Sequence, residues 1–223
     1  MNRPIKAVVF DLDDTLIATR RLYTEAYARA LEPHYGRRLA SAELAALKPG
    51  PETEFFASVV AAEGAAESLA AFYYWYEALH PEAFEGLYPE VLETLAALGA
   101  AGLRIAVFTG KSRRAWEITS RHVELPGVSA FVCGDEVERH KPAPDGIVEA
   151  MRLLGAAPEE TAYVGDSPLD IAAAQAAGAL PVAALWSRAP ADRTVLAEAA
   201  RLAGGVAFEA PLDLLDLVHP RAT

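Results

Sequence analysis

The stretch AVVFDLDDT at residues 7–15 decides the fold of this chain. Its first four residues are apolar, and the run ends abruptly at Asp11. A short apolar run bounded in this way is typical of a strand buried on both faces of a parallel sheet. Similar runs predict four further strands, at residues 104–108, 130–133, 161–164 and 181–186.

Helical patterns alternate with the later strands. They cover residues 90–98, 113–122, 144–154, 168–177 and 194–202. Strands that alternate with helices of this length indicate a parallel sheet with helices on both faces. We therefore predict an α/β fold built on a doubly wound parallel sheet.

The alternation breaks after Thr15, where four helical patterns follow one another without a strand. These patterns cover residues 20–31, 41–47, 52–63 and 66–79. We predict an all-helical domain of residues 16–88, inserted into an α/β core domain of residues 1–15 and 89–223. Pro81, Gly86 and Pro89 mark the return to the core, and two connections of this kind suit a hinge.

Composition and charge exclude several classes of protein. The 223 residues include 20 Lys and Arg against 31 Asp and Glu, a formal net charge of −11. This balance argues against binding to nucleic acid or to a membrane surface, since both need basic patches. A single Cys excludes a disulfide framework. No apolar run reaches the ~18 residues of a membrane span, and no signal peptide is evident, so we expect a cytoplasmic protein, by default a monomer.

Polar residues follow the predicted strands where a ligand site is expected. In an open parallel sheet, ligands bind beyond the carboxyl ends of the strands. The residues at these positions are Asp11, Asp13, Asp14 and Thr15 after the first strand, Thr109, Gly110 and Lys111 after the second, Lys141 before a helix, and Asp166 and Asp170 after the fourth. We expect them to meet at one edge of the sheet.

In this order, the four groups resemble the four motifs of the haloacid dehalogenase superfamily. The helical insertion after the first motif is similar to that superfamily's small-cap subclass, with a Rossmann-like core. The stretch from residue 87 to 179 is similar to phosphoglycolate phosphatases. The resemblance implies that Asp11 is a nucleophile that forms an aspartyl-phosphate. It also implies that Asp13 is a general acid and base whose backbone carbonyl binds the metal.

The acidic residues also indicate a metal by their own chemistry. Asp11, Asp13 and Asp166 would bring carboxylates together, which their mutual repulsion opposes unless a cation lies among them. Hard oxygen ligands favour Mg²⁺. We expect Asp170, four residues after Asp166, to support this site from a second shell.

Three of the same residues fit a role in binding the transferred phosphate. Thr109 offers a hydroxyl at the start of a helix, and Gly110 allows a close approach of the backbone. Lys141 would place a cation against the nucleophile and the phosphoryl group.

Several charged and aromatic residues stay open to two interpretations. Arg20, Arg21 and Lys48 are candidates for substrate contacts in an acidic protein. Lys111 and Arg113 either reach the substrate or are solvated charges at a helix start. The aromatic run 72–76 favours cap packing, and His80, with the other histidines outside the motifs, is expected at a surface or boundary.

The leading hypothesis is a Mg²⁺-dependent phosphatase of small phosphorylated metabolites, of the phosphoglycolate type. Asp13 argues against a dehalogenase, which lacks an acid/base aspartate there. A phosphosugar mutase of the β-phosphoglucomutase kind is an alternative. However, such mutases carry an Arg three residues after a cap-loop Gly, and here Gly50 is followed by Pro51, Glu52 and Thr53. A phospho-accepting receiver or a silent binding protein is the non-enzymatic alternative.

Overall fold

The computed structural model describes residues 4–47 and 50–218. Within these ranges, six parallel strands form one sheet in the order β3-β2-β1-β4-β5-β6. The strands are β1 (Ala7–Phe10), β2 (Arg104–Phe108), β3 (Val128–Val132), β4 (Thr161–Gly165), β5 (Leu180–Ala184) and β6 (Val206–Phe208). The predicted doubly wound α/β sheet is confirmed.

Nine helices accompany this sheet in the part of the chain that the structure describes. They are α1 (Arg20–Tyr35), α2 (Ser41–Ala46), α3 (Glu52–Val59), α4 (Ala62–Ala83), α5 (Val91–Ala100), α6 (Arg113–Thr119), α7 (Asp145–Leu154), α8 (Pro168–Ala177) and α9 (Pro190–Leu202). Short 3₁₀ turns cover Gly134–Glu136, Pro158–Glu160 and Pro211–Leu217. None of the described helices is both long and apolar enough to cross a membrane.

Strand β1 is buried on both faces, as its unbroken apolar run predicts. It pairs with β2 on one side and with β4 on the other. Val8 and Phe10 belong to a core cluster with α5, whereas Val9 belongs to a cluster with α7 and α8. Two helical layers therefore cover the sheet and leave its carboxyl edge for the polar loops.

Helices α1 to α4 form the inserted helical cap and share a core of their own. Leu22, Tyr27, Phe56 and Phe72 are fully or almost fully buried in this cluster. Ile118 of α6 belongs to the same cluster. One helix of the α/β part therefore packs directly against the cap.

The two connections between the cap and the sheet run side by side. The amide of Ala18 donates to the carbonyl oxygen of Gly86 at 2.8 Å, and Tyr88 N donates to Leu16 O at 3.0 Å. Backbone hydrogen bonds therefore join the two connections to each other. The exact domain limits of 16–88 stay a prediction.

Several element boundaries differ from those predicted. Helix α3 ends at Val59 because Val60 is extended, and α4 continues through Pro81 to Ala83. Helix α6 ends at Thr119, earlier than its pattern indicates. Strand β6 was absent from the prediction, since it is a three-residue, partly exposed edge strand that has no long apolar run.

Candidate active site

Three motifs meet because of the order of the strands. β1 lies between β2 and β4, so Asp11, Thr109 and Asp166, which directly follow these strands, become neighbours. Lys141 reaches the same edge from the loop before α7, where the Lys141–Pro142 peptide bond is cis. All four motifs of the sequence therefore come together at the carboxyl edge of the sheet.

Asp11 is a buried carboxylate held by a cation. Lys141 Nζ lies 2.5 Å from its Oδ1, and the Thr15 hydroxyl donates to its Oδ2 at 3.3 Å. Burial raises the pKa of Asp11 to about 7, and the charge of Lys141 opposes that rise. The charge of Asp11 thus depends on its neighbouring cation.

Asp11, Asp166 and Asp170 form a compact group of carboxylates. One oxygen of each lies within 4.8 Å of the others, and all three residues are buried. Burial raises the pKa of Asp166 well above its usual value, and the nearby charges of Asp11 and Asp170 raise it further. A cation among these oxygens would relieve the repulsion, and an all-oxygen set suits Mg²⁺. The residues present therefore fit a magnesium ion.

Asp170 has two roles in this geometry. Its Oδ1 accepts from Lys141 Nζ at 2.7 Å and from the Tyr163 hydroxyl at 3.1 Å. Its Oδ2 accepts from Ser167 N at 3.0 Å. A Cβ on Gly165 would lie 2.4 Å from the Cβ of Asp170, so only glycine permits this packing. Asp170 both joins the carboxylate group and anchors Lys141.

Arg188 supplies a second cation, which the sequence analysis missed. Its guanidinium donates to Oδ2 of Asp166. Its backbone carbonyl accepts from Arg193 Nε at 2.9 Å, which steadies the loop after β5. Because β5 pairs with β4, the strand-end rule applied to β5 could have drawn attention to this loop.

The side chain of Asp13 lies outside the carboxylate group. Asp14 has a positive φ of 60°, which an aspartate tolerates, and the chain turns there. Oδ1 of Asp13 accepts from the Thr19 hydroxyl at 2.5 Å and forms an ion pair with Lys111 Nζ at 3.0 Å. Oδ2 accepts from the Thr109 hydroxyl at 3.3 Å. A metal contact through the backbone carbonyl of Asp13 stays a prediction.

Lys111 is not a solvated charge at a helix start, and that interpretation is wrong. Its side chain has no exposed surface. Its Nζ donates to the hydroxyl of Tyr76 at 2.7 Å and lies 4.1 Å from the ring centroid of Tyr23. Burial opposes the charge, yet Asp13 and Tyr76 raise the pKa of Lys111 above its usual value. Lys111 thus carries a charge that contacts residues of both the α/β core and the cap.

Glu52 is a functional candidate that the sequence analysis passed over except as part of the mutase argument. It is fully buried at the start of α3. Its carboxylate accepts from the Tyr23 hydroxyl at 2.8 Å and from Ser112 N, at the start of α6, at 3.0 Å. Burial raises its pKa, and the charge of Lys111 opposes this. An acidic residue at a helix start is ordinary, so the sequence held no signal of this burial.

Tyr76 and His80 extend the contact between α4 and α6. The Tyr76 hydroxyl lies 2.8 Å from Oγ1 of Thr119, which in turn lies 3.2 Å from Nε2 of His80. His80 Nδ1 lies 2.6 Å from the carbonyl oxygen of Tyr76. His80 is 2% exposed and contacts Thr119 of α6, so of its two expected places, surface or boundary, it lies at the boundary and is buried there. Tyr76 packs in the cap as predicted and also contacts the site.

Gly110 and Arg113 have different surroundings. A Cβ on Gly134 would lie 2.4 Å from the carbonyl oxygen of Gly110, so the loop that carries Gly110 packs closely on its neighbour. Arg113 forms an ion pair with Glu136 at 2.7 Å. This pair makes Arg113 a structural contact of the loop.

An open cavity of about 860 Å³ adjoins Asp14. Arg20 and Arg21 are among its lining residues, with Tyr88 and Ser187. Arg20 forms an ion pair with Asp14 at 2.5 Å, so its charge is already engaged. Lys48, the third basic candidate, lies outside the described residues.

Comparisons with known proteins agree with this arrangement. The family described as haloacid dehalogenase-like hydrolase matches residues 8–184. The pyrophosphatase PpaX of Bacillus mycoides is 32% identical over 184 residues, which cover 82% of this chain and 85% of PpaX.

Two solved structures share the fold. A predicted phosphoglycolate phosphatase from Haemophilus somnus has a TM-score of 0.79 at 22% identity, with coverage of 96% of this chain and 97% of that chain. A mutant of CbbY from Rhodobacter sphaeroides, in complex with xylulose-(1,5)-bisphosphate, has a TM-score of 0.71 at 26% identity, with coverage of 81% and 86%.

Proposed function

Because this chain belongs to the haloacid dehalogenase-like hydrolases and is a phosphatase of that family, we propose that it is a Mg²⁺-dependent phosphatase of small phosphomonoesters such as phosphoglycolate. The observation that carries the proposal is the setting of Asp11. This carboxylate is buried, contacts Lys141 at 2.5 Å and lies within 4.8 Å of the carboxylates of Asp166 and Asp170. Such a setting suits a carboxylate nucleophile. Asp11 loses its charge when it bonds to phosphorus in the first displacement and regains it in the second.

In the first displacement, an oxygen of Asp11 attacks the phosphorus of the substrate. A P–O bond forms to Asp11 as the bond to the leaving oxygen breaks, and Asp13 gives that oxygen a proton. Lys141 and Thr109 hold the phosphoryl oxygens and stabilise the charge that gathers on them. The product of this step is an alcohol and an aspartyl-phosphate.

In the second displacement, water replaces Asp11 on the phosphorus. Asp13, now ionised, takes a proton from the water as it attacks. The bond between phosphorus and the Asp11 oxygen breaks, which releases phosphate and restores both carboxyl groups. Asp13 therefore acts once as an acid and once as a base.

Asp11, Asp166 and Asp170 are the side chains that would hold Mg²⁺, with the backbone carbonyl of Asp13. When bound, the ion would neutralise charge on the phosphoryl oxygens. A phosphorylated small molecule as partner, a cytoplasmic location and a monomeric state are parts of the same proposal.

Two observations narrow the substrate class: the name of a relative, and the residues that follow Gly50 in the cap. The PpaX relative is named a pyrophosphatase, so pyrophosphate belongs in the test beside phosphoglycolate. For the mutase alternative, Thr53 stands where the Arg of the mutases is expected, and the buried acid Glu52 precedes it. The residues after Gly50 therefore favour hydrolysis over phosphoryl transfer between sugar hydroxyls.

The test is phosphate release from a panel of phosphomonoesters and pyrophosphate, with and without Mg²⁺. We expect multiple turnovers that require Mg²⁺ in the wild type and in Asp192→Asn, an exposed control on α9. Asp11→Asn should release no phosphate above background. Stable labelling of Asp11 without turnover would support the mutase or receiver alternative instead, and no reaction with any substrate would contradict an enzyme for these esters.

A further inference from the structure

The contacts of Lys111 give it a specific task at the site. Its Nζ lies 3.0 Å from Oδ1 of Asp13, and the Thr19 hydroxyl donates to the same oxygen at 2.5 Å. Oδ2 receives the longer contact from Thr109, at 3.3 Å. An oxygen that accepts one short hydrogen bond and also lies 3.0 Å from a cation is a poor place for a proton. Of the two oxygens, Oδ2 is therefore the one whose contacts leave it better placed for proton transfer.

We propose that Lys111 is a positioning residue for Asp13: held from the cap by Tyr76, it occupies Oδ1 and so reserves Oδ2 for proton transfer. The proposal rests on the proposed function, because it assumes that Asp13 is the general acid. It adds a residue of the core and a residue of the cap to the machinery that directs this proton.

The direction of each hydrogen bond around Tyr76 follows from the chemistry of the groups. Lys111 can only donate, so the Tyr76 hydroxyl accepts from it and gives its own proton to Thr119. His80 Nδ1 donates to the carbonyl oxygen of Tyr76, which leaves Nε2 to accept from Thr119. Burial lowers the pKa of His80 to about 4, which keeps the ring neutral. A neutral ring is what this series of hydrogen bonds requires. The Tyr76 oxygen is thus fixed with its lone pair towards Lys111.

Groups on several sides hold the ammonium of Lys111 beside Asp13. Asp13 and Tyr76 are two of its partners, and the ring of Tyr23, 4.1 Å from Nζ, faces it as well. Glu52, buried on the same side, adds a second negative charge near the ammonium. Without Tyr76 and Tyr23, the flexible lysine could instead bind water and release Oδ1. Tyr76 and Tyr23 of the cap therefore hold Lys111 in place, and Lys111 in turn orients Asp13.

If Lys111 orients Asp13, the effect of replacing Lys111 should depend on the leaving group of the substrate. A merely structural role predicts no such dependence. A leaving alkoxide needs the proton of Asp13, whereas a leaving nitrophenolate is stable without it. Loss of the positioning should slow the first displacement for alkyl phosphates more than for p-nitrophenyl phosphate. The parameter kcat/KM covers only the steps up to the first irreversible one, so the later role of Asp13 as a base does not enter.

The experiment compares kcat/KM for the best alkyl phosphate of the panel and for p-nitrophenyl phosphate. The variants are Lys111→Met, Tyr76→Phe and the control Tyr74→Phe, a tyrosine on the same helix that is 64% exposed. We expect Lys111→Met to lower the alkyl value at least about tenfold more than the nitrophenyl value. Tyr76→Phe should shift the ratio in the same direction by about threefold, and Tyr74→Phe should leave it unchanged.

The outcomes separate this inference from the proposed function. Turnover by the wild type with equal losses for both substrates in Lys111→Met and Tyr76→Phe would overturn the role of Lys111 and leave the phosphatase standing. Absence of Mg²⁺-dependent turnover in the wild type would remove both. If Lys111→Met does not fold, as circular dichroism would reveal, Tyr76→Phe decides alone, because the loss of one hydroxyl keeps the volume of the ring.

Discussion

Two buried lysines serve the two sides of the site, and their surroundings differ. Lys141 is held by Asp11 and Asp170, which belong to the α/β core. Lys111 is held by Asp13 of the core and by Tyr76 of the cap. The same charge is thus paired once with carboxylates of the α/β core and once with groups on both sides of the boundary with the cap.

The proposed mechanism assigns a different step to each side. On the core side, Lys141 is paired with Asp11 and Asp170, and in the proposed mechanism this lysine and Thr109 hold the transferred phosphoryl group. On the boundary side, Asp13 is the proposed proton donor, and its partner Lys111 contacts residues of both parts of the molecule. Substitutions on the core side should therefore affect every substrate, whereas those on the boundary side should distinguish leaving groups.

The largest effect should come from replacing Lys141, on the core side of the site. Lys141→Met removes the cation that faces Asp11 at 2.5 Å, and we expect kcat to fall by about 100-fold to 1,000-fold. The loss should be equal for alkyl and nitrophenyl phosphates, because both transfer the same phosphoryl group. Steady-state kinetics with both esters checks this. A loss confined to the alkyl ester would contradict the contrast between the two lysines.

A smaller effect should follow from changing Arg188 on the same side. Arg188→Gln removes the guanidinium that neutralises Asp166. We expect the unfolding temperature without metal to fall by about 2–8 °C, which corresponds to about 1–2 kcal/mol. Added Mg²⁺ should then raise the unfolding temperature more than in the wild type, since the ion supplies the missing charge.

Thermal unfolding with and without MgCl₂ measures the effect of Arg188 independently of activity. Arg201→Gln is the matched control, because Arg201 is an exposed arginine of α9 that pairs with Glu198. An Mg²⁺-dependent gain in Arg188→Gln no greater than that in the control would show that Arg188 does not stand in for the ion.

An effect of similar size to that of Arg188, seen only when the pH changes, concerns His80 on the boundary side. Its pKa is lowered by burial from 6.5 to about 4 in the folded protein. Below pH 6.5 the unfolded chain binds a proton that the folded protein does not, so this contribution to stability is complete above pH 6.5 and is lost as the pH falls towards 4. Between pH 7.5 and 5.0 we expect the wild type to lose about 1–2 kcal/mol more than His80→Gln.

Urea unfolding at the two pH values checks the prediction for His80. Tyr74→Phe, which changes an exposed tyrosine on the same helix, is the control and should lose as much stability as the wild type. Equal losses in the wild type and in His80→Gln would mean that His80 is not held neutral at the boundary.

Local sequence patterns were enough to predict the sheet and the list of chemical groups. Five strands were predictable because each is a short apolar run between polar residues, and such runs depend on local composition. Asp11, Thr109 and Asp166 could be placed at one edge because parallel strands end on the same side. The unbroken series of helical patterns after Thr15 likewise indicated an inserted cap.

Only the tertiary structure decided how the charges are paired. Lys111 meets Tyr76, Glu52 meets Ser112, and Arg188 meets Asp166 across separations of 35, 60 and 22 residues along the chain. No local pattern encodes such contacts, because they depend on how α4 and α3 pack on α6 and on which strands are neighbours. A charge at a helix start has the same sequence pattern whether it is solvated or buried. The packing of the cap against the core makes Lys111 buried, and the sheet order gives Asp166 its arginine.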